Sequence, residues 1–295
     1  MLMWTEEFLD YLRLERNYSA LTVLKYETCL RQFEEFFTNM GTGLEWDTVD
    51  SDVIRDWMEQ MMDKGEKATT VNGKLSAVRS FYRYALRRNL IERDPAHSVT
   101  GPKKEKQLPK FIREKDMDRL LSDDMWTDSY KDICARTLLI TFYESGMRVA
   151  ELVSLEDEMV DFVNRQLKVT GKRNKQRIIP FGKEMEQALR DYITIRDEQV
   201  ARQERGFFLT DKGRRMSIPQ VRRVVEMQLG RVTTQKKRSP HVLRHSFATA
   251  MLNHEAGLES VRKLLGHESL ATTEIYTHTT FEQLKKVYNK AHPRS

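Results

Sequence analysis

His241-Val-Leu-Arg244-His245-Ser-Phe-Ala-Thr249 leads through Leu265-Gly266-His267 to Tyr276 and so gathers imidazoles, a guanidinium and a phenol within one short run. Ser239-Pro240 ahead of it supplies a cap and a first-turn proline, so His241 and Arg244 stand one helical turn apart on one face. A helix N-terminus offers free N–H groups and the positive end of a dipole, which favours a phosphate there. Leu264-Leu-Gly266 reads as a helix that stops at glycine, with His267 just beyond it. Arg148 and Lys172 upstream complete a set suited to a phosphodiester, because guanidinium forks gain strength as charge spreads over the non-bridging oxygens on attack. The phenol of Tyr276 is the nucleophile in this reading.

Each residue has a plainer reading when taken alone. Arg148, directly after the helix break at Gly146, is also an ordinary surface arginine that pairs locally, and Glu151 three residues on is a solvated charge or a partner that orients it. Lys172, with Arg173, Lys175 and Arg177, is either a charged sheet edge or a mobile basic tip that reaches DNA. His245 lies beside Phe247 on another helix face and reads as core packing or a supporting hydrogen bond. His267 fits a helix-terminal residue and Tyr276 a half-buried packing residue. His241, His245, His254, His267 and His278 raise the question of zinc, but no His-Glu-x-x-His spacing or acidic ligand cluster accompanies them, so no metal is expected.

Outward from this run, the N-terminal third reads as four amphipathic helices able to close a small bundle. Thr5 caps the first, with Phe8, Leu9 and Leu12 as its stripe, and Ser19 caps the second, which carries Leu24, Leu30, Phe33 and Phe37. The third spans Ser51 to Met62. The fourth follows Thr69 or Thr70 and carries Val71, Leu75, Val78, Phe81, Tyr82 and Ala85. Prolines and charge without apolar periodicity mark a linker over 99–110, which separates domains at 1–98 and 111–295. Helices are expected at Glu114–Leu121, Ile133–Glu144, Glu184–Gln199, Ser217–Leu229, Pro240–Asn253, Leu258–Leu265 and Phe281–Asn289. A β-hairpin with strands Val160–Val169 and Arg177–Pro180 has residues 170–176 as its basic tip. The fold class is mainly α with one small sheet.

Composition agrees with this reading and excludes other classes. At 295 residues, with 39% hydrophobic and 32% charged residues and a mean hydropathy of -0.63, the chain suits a two-domain globular protein rather than a disordered one. Fifty Lys and Arg against 44 Asp and Glu leave a net charge of +6, which favours a polyanionic partner without requiring one. Cys29 and Cys134 sit in apolar helical patterns and read as packing residues, which rules out a disulfide scaffold. With no signal-like N-terminus and no membrane-length apolar run, a cytoplasmic location is expected.

The ordered set as a whole resembles the tyrosine recombinase (phage integrase) family, and the resemblance spans nearly the full chain. Gly146-Met-Arg148-Val-Ala-Glu151-Leu is similar to the family's first arginine box, and Gly171-Lys172-Arg173-Asn174-Lys175-Gln176-Arg177 to its lysine hairpin. His241-Val-Leu-Arg244 is similar to its His-x-x-Arg box, and Leu265-Gly266-His267 with Tyr276 to its closing histidine and nucleophile. The wording of the boxes and the overall size look most like the Xer subgroup. One departure is Arg173, where Xer-type hairpins read Gly-Lys-Gly; it stiffens the turn and adds a phosphate contact, and Lys175 is the alternative lysine if the register differs.

The resemblance implies a SAM-like DNA-clamping domain followed by a catalytic domain, the two gripping duplex DNA as a C-shaped clamp. It implies that Arg148 and Arg244 clamp the scissile phosphate while His267 adds a hydrogen bond and Tyr276 attacks to form a 3′-phosphotyrosyl link. Lys172 then protonates the departing 5′-oxygen, and His241 assists proton transfer from a phenol whose free pKa is about 10. Arg173, Lys175 and Arg177 contact DNA. No cofactor is needed, since the protein–DNA ester conserves the bond energy. The implied partners are a recombination site, a homo- or hetero-tetramer with a related recombinase that exchanges the segment Phe281–Asn289 between subunits, and a DNA translocase. The rival readings are an integrase of a phage or mobile element, a type IB topoisomerase, and a DNA-binding regulator without catalysis.

Overall fold

In the computed structural model, residues 2–103, 110–171, 176–266 and 278–294 are described, Leu2 and 278–284 by backbone alone. Lys172, Arg173, Lys175, His267 and Tyr276 therefore lie outside the described residues. The chain divides into two compact units, Met1–Gln107 and Leu108–Ser295, and the division falls within the 99–110 stretch.

The first unit holds α1 (Leu2–Asp10), which runs into a π turn at Tyr11–Glu15, then α2 (Ala20–Asn39), α3 (Ser51–Asp63) and α4 (Ala68–Arg87). Ser19 caps α2 by accepting from the Thr22 N–H, and Asp50 caps α3 by accepting from the N–H groups of Asp52 and Val53. Thr5 is not a cap: α1 starts before it, and Trp4 packs on the bundle's apolar cluster. Leu24 is 56% exposed, and Val23 takes the inward position on α2 instead. The core is aromatic. Trp46, on the α2–α3 connection, lies against Phe81 with ring centroids 4.4 Å apart and against Phe37 at 5.2 Å. Its indole N–H donates to Glu34 at 3.0 Å, and its carbonyl accepts from the Tyr82 hydroxyl at 3.2 Å, so a connecting loop becomes part of the core.

The second unit is built around α6 (Tyr130–Ser145), which follows α5 (Glu114–Leu121). Ser129 caps α6, whose first residue Tyr130 is three ahead of the expected start at Ile133. From Thr137 to Ser145 this helix is buried on every side, while its first turn carries the exposed Lys131 and the half-buried Asp132 outside the apolar run. After α7 (Val149–Val153) come three antiparallel strands in sequential order: β1 (Val160–Asp161), β2 (Gln166–Thr170) and β3 (Gln176–Pro180). The expected first strand, 160–169, is thus two strands. The Asp161 carboxylate accepts from the backbone and side-chain amides of Asn164, and Arg165 takes φ +51, which together turn the chain back on itself. Val169 pairs with Arg177 and Thr170 with Gln176, so the ladder closes beside residues 171–175.

Next come α8 (Lys183–Gln199), α9 (Ile218–Leu229), α10 (Pro240–Asn253), α11 (Leu258–Leu265) and α12 (His278–Ala291). A box of Ser217 and Gln220 caps α9, and α6 packs chiefly against α8 and α10. α12 finds its apolar contacts within its own unit: Tyr288 and Ala291 cluster with Phe247, Met251 and Leu264. The Tyr288 hydroxyl lies 3.2 Å from Glu144 Oε2, and His292 stacks on the Tyr288 ring. Of the apolar residues expected on this helix, Tyr288 is wholly buried within its own unit, against α6, α10 and α11. Cys134 is buried in the core and Cys29 is half-buried, both as free thiols.

Candidate active site

Two left-handed glycines shape the site. Gly146 (φ +58) ends α6, and a Cβ there would meet Phe247 at 2.5 Å; Gly266 (φ +61) ends α11, where a Cβ would come within 3.0 Å of Arg177. Both positions combine a backbone conformation that side-chain-bearing residues rarely adopt with a lack of space. Gly146 lets the chain turn at once into α7, with Arg148 at its N-cap. Gly266 leaves the last carbonyls of α11 without helical partners.

Three arginines from three elements take those carbonyls. Arg177 on β3 donates from Nε to the Leu264 carbonyl at 3.2 Å, Arg244 on α10 from Nη2 to Leu265 at 2.6 Å, and Arg148 from Nη2 to Gly266 at 2.9 Å. The carbonyl end of a helix carries partial negative charge, which makes it a fitting anchor for cations. Arg244 also reaches the Gly146 carbonyl at 2.6 Å, which ties both glycine turns to one guanidinium.

Glu151, one turn into α7, is the only carboxylate in contact with this group among the described residues. Its Oε2 accepts from the Arg148 backbone N–H at 2.7 Å, and its Oε1 accepts from Arg148 Nη1 at 2.9 Å. Arg177 grips the same carboxylate with both Nη atoms, at 2.5 and 2.9 Å. Burial alone would raise the Glu151 pKa, but hydrogen bonds and charge from Arg177, then from Arg148, hold it below the usual carboxylate range. The carboxylate therefore stays ionised, and three guanidiniums share one negative charge. Arg244 feels the imbalance: burial first, then the charges of Arg148 and Arg177, lower its pKa to about 10. Arg148 keeps 38% of its side chain exposed, so the surplus positive charge has an opening to solvent.

His241 lies on the first turn of α10 and is exposed. Partial desolvation, then the charges of Arg244, Arg222, His245 and Lys237, lower its pKa, which leaves a neutral imidazole able to accept a proton at neutral pH. His245 is exposed as well, not in the core: it follows His241 by one turn on the outward stripe, while Val242, Leu243 and Phe247 point inward.

The structure thus brings together Arg148, Glu151 and Arg244 and sets His241 on the same helix as Arg244. Lys172, His267 and Tyr276 fall outside the described residues, as do Arg173 and Lys175. Arg177 differs from the sequence reading. It is 7% exposed and each of its guanidinium nitrogens donates to Glu151 or to the Leu264 carbonyl, so it is no free DNA-contacting tip residue. Strand alternation carried the signal, since Arg177 shares the inward face of β3 with Ile179 while Gln176 and Ile178 face out. Among the described residues no group of three or more His, Cys, Asp or Glu is arranged to hold a metal ion, and no helix is long and apolar enough to cross a membrane.

Comparison with known proteins connects these two units to named ones. Residues 110–283 match the phage integrase family, and residues 5–89 match the phage integrase N-terminal SAM-like domain. Tyrosine recombinase XerC of Chlorobaculum tepidum is 38% identical, with 99% of this chain and 95% of that protein covered. Tyrosine recombinase XerC of Pelotomaculum thermopropionicum is 36% identical, over 100% of this chain and 99% of that one. The fold is that of XerH site-specific recombinase bound to a palindromic difH substrate (TM-score 0.73, 21% identity, 96% and 83% covered). It is also that of the Tn1549 transposon integrase in complex with transposon right end DNA (TM-score 0.75, 19% identity, 96% and 97% covered).

Proposed function

The chain belongs to the phage integrase family, and from that premise we propose that this tyrosine site-specific recombinase cuts and rejoins duplex DNA in the Xer manner, resolving chromosome or plasmid dimers in the cytoplasm. The whole-chain similarity to XerC proteins favours that role over integration of a mobile element. The observation that carries the chemistry is the cluster of Arg148, Arg177 and Arg244 around Glu151, their one carboxylate among the described residues, which bonds the first two and acts on Arg244 by charge alone. Its positive surplus suits a phosphodiester, and suits still better the more highly charged arrangement formed on attack.

In the proposed reaction Arg148 and Arg244 turn their outer N–H groups to the scissile phosphate and His267 adds a hydrogen bond. Tyr276 attacks the phosphorus, and the 5′-oxygen leaves with a proton from Lys172. His241 takes the phenolic proton, in keeping with its lowered pKa. Arg173 and Lys175 contact the DNA backbone. The product is a 3′-phosphotyrosyl ester and a free 5′-hydroxyl. A partner strand's 5′-hydroxyl then reverses the step, and two rounds through a Holliday junction complete recombination. The reaction needs no cofactor. The assembly on DNA is a homo- or hetero-tetramer, with a related recombinase and a translocase as further partners; any exchange of α12 between subunits first has to withdraw Tyr288 from Glu144.

Covalent capture from DNA of random sequence tests this reading and finds the site in the same step. Wild-type protein is incubated with a nicked duplex library of randomised sequence, and DNA bound covalently to protein is partitioned and sequenced. The expected result is enrichment of one two-armed site with the protein on the 3′-phosphate, and no adduct with Tyr276→Phe. Adducts that persist in Tyr276→Phe remove Tyr276 as nucleophile. Relaxation of plasmid without paired sites redirects the assignment to a topoisomerase.

A further inference from the structure

Arg177 is the arginine of the cluster that the reaction above does not use. It is buried, each of its three guanidinium nitrogens donates to protein, and it is the one member that bonds both oxygens of Glu151 through its guanidinium. Its Nε holds the Leu264 carbonyl, one residue before the carbonyl that holds Arg244 and two before the one that holds Arg148. Its side chain also lies where any Cβ at position 266 would have to go. One planar group thus fixes both the counter-ion of Arg148 and the end of α11.

We propose that Arg177 is a positioning residue for strand cutting: through Glu151 it aims Arg148, and through Leu264 it sets the carbonyl row on which all three arginines rest. This inference rests on the recombinase reading above. A lysine cannot replace it fully, because an ammonium lacks the fork that spans a carboxylate and a carbonyl together. Removal of Arg177 also takes from Glu151 the strongest influence that keeps it ionised, with Arg148 and the more distant Arg244 as the charges that remain.

The test uses the captured duplex with a nick that traps the cleaved product. Single-turnover cleavage, binding against salt and thermal melting are measured for the full chain and for Arg177→Gln, Arg177→Lys, Glu151→Gln and the double variant Glu151→Gln/Arg177→Gln. Arg177→Gln is expected to cleave about 10²-fold more slowly, the scale of an ångström-sized misplacement, with affinity and salt slope unchanged and Arg177→Lys in between. Its acid limb of cleavage against pH moves to higher pH, since a Glu151 with fewer cationic partners protonates sooner as pH falls. The double variant is expected to be no slower than the slower single one, because the Arg177–Glu151 contact that the two residues share can be lost only once.

A salt slope reduced by about one with weaker binding would make Arg177 a phosphate contact and overturn the proposal. So would wild-type cleavage in Arg177→Gln, or penalties that multiply in the double variant. If Arg177→Gln fails to fold, Arg177→Lys alone and combined with Glu151→Gln carries the same cycle. A wild-type chain that forms no adduct overturns the recombinase reading and this inference with it, whereas a cleaving wild type matched by its Arg177 variants overturns the inference alone.

Discussion

Arg196 and Arg244 are both buried in the second unit, where desolvation works against either charge, yet their surroundings push them in opposite directions. Arg196 donates from Nη1 and Nη2 to Asp157 at 2.9 and 3.1 Å and from Nε to Asp197 at 2.7 Å, and it lies near the rings of Tyr192 and Phe207. Its pKa is raised above the ordinary arginine value. Among the described residues Arg244 has only carbonyls as direct partners and two other guanidiniums close by, and its pKa is lowered. The first cluster is complete as it stands and holds the 157 and 197 segments together. The second contains more positive charge than the protein neutralises, which costs stability and makes sense where an anion is to be bound.

The two clusters should fail in different ways when broken. Arg244→Ala is expected to slow single-turnover cleavage by about 10²–10³, the effect of removing one donor to a developing oxyanion. Its unfolding free energy should fall by less than about 1 kcal/mol, since two lost carbonyl bonds of about 1 kcal/mol each are offset by relief of repulsion. Arg196→Ala should do the reverse. Urea unfolding is expected to show a loss of about 3 kcal/mol, the lower end for stripping one partner from a buried pair because Asp157 and Asp197 are partly exposed. Its cleavage rate per folded molecule should match wild type.

Glu144 sharpens the comparison as a buried carboxylate with no cation in contact among the described residues. Its Oε2 takes the Tyr288 hydroxyl and, at 3.4 Å, the Gly182 N–H, while its Oε1 has no hydrogen-bond partner among the described residues. Burial, then the charge of Glu184, pushes its pKa up to about 8. A folded-state value above the unfolded one gives stability that is fully present below the ordinary carboxylate range and lost as pH rises toward 8. Glu144→Gln should flatten that decline. Melting measured from pH 5 to 9 is expected to show a gain of about 2–4 °C at the alkaline end, the shift that 1 kcal/mol gives a domain of this size, and little change at pH 5.

Much of this architecture is legible in the letters. Ser19 and Ser217 mark helix starts through capping hydrogen bonds and Pro240 through its first-turn position, whereas the expected cap at Ser239 makes no side-chain cap bond, and the stripes of α3 and α4 follow from spacing alone. Arg148, Glu151, His241 and Arg244 were readable as a set because their order resembles a family's boxes. The start of α6 was not, since its first turn carries Lys131 and Asp132 and lies outside the apolar run that reveals the helix. The split between β1 and β2 depends on side-chain bonds from Asp161 that strand propensity does not register. Arg177 misled because basic neighbours suggested a solvent-facing tip, whereas strand alternation turned it inward. The carbonyl row of Leu264, Leu265 and Gly266 has no letter of its own, because every residue has a carbonyl and only the fold decides which ones are free.

The central claim is that the surplus positive charge around Arg244 exists to meet the charge of a DNA phosphate. A captured duplex whose scissile phosphate is replaced by a neutral methylphosphonate tests this most directly, with cleavage by wild type and Arg244→Ala compared on both linkages. The account predicts that the Arg244→Ala penalty of about 10²–10³ on the charged linkage shrinks to less than about tenfold on the neutral one. A penalty of the same size on both linkages would contradict it.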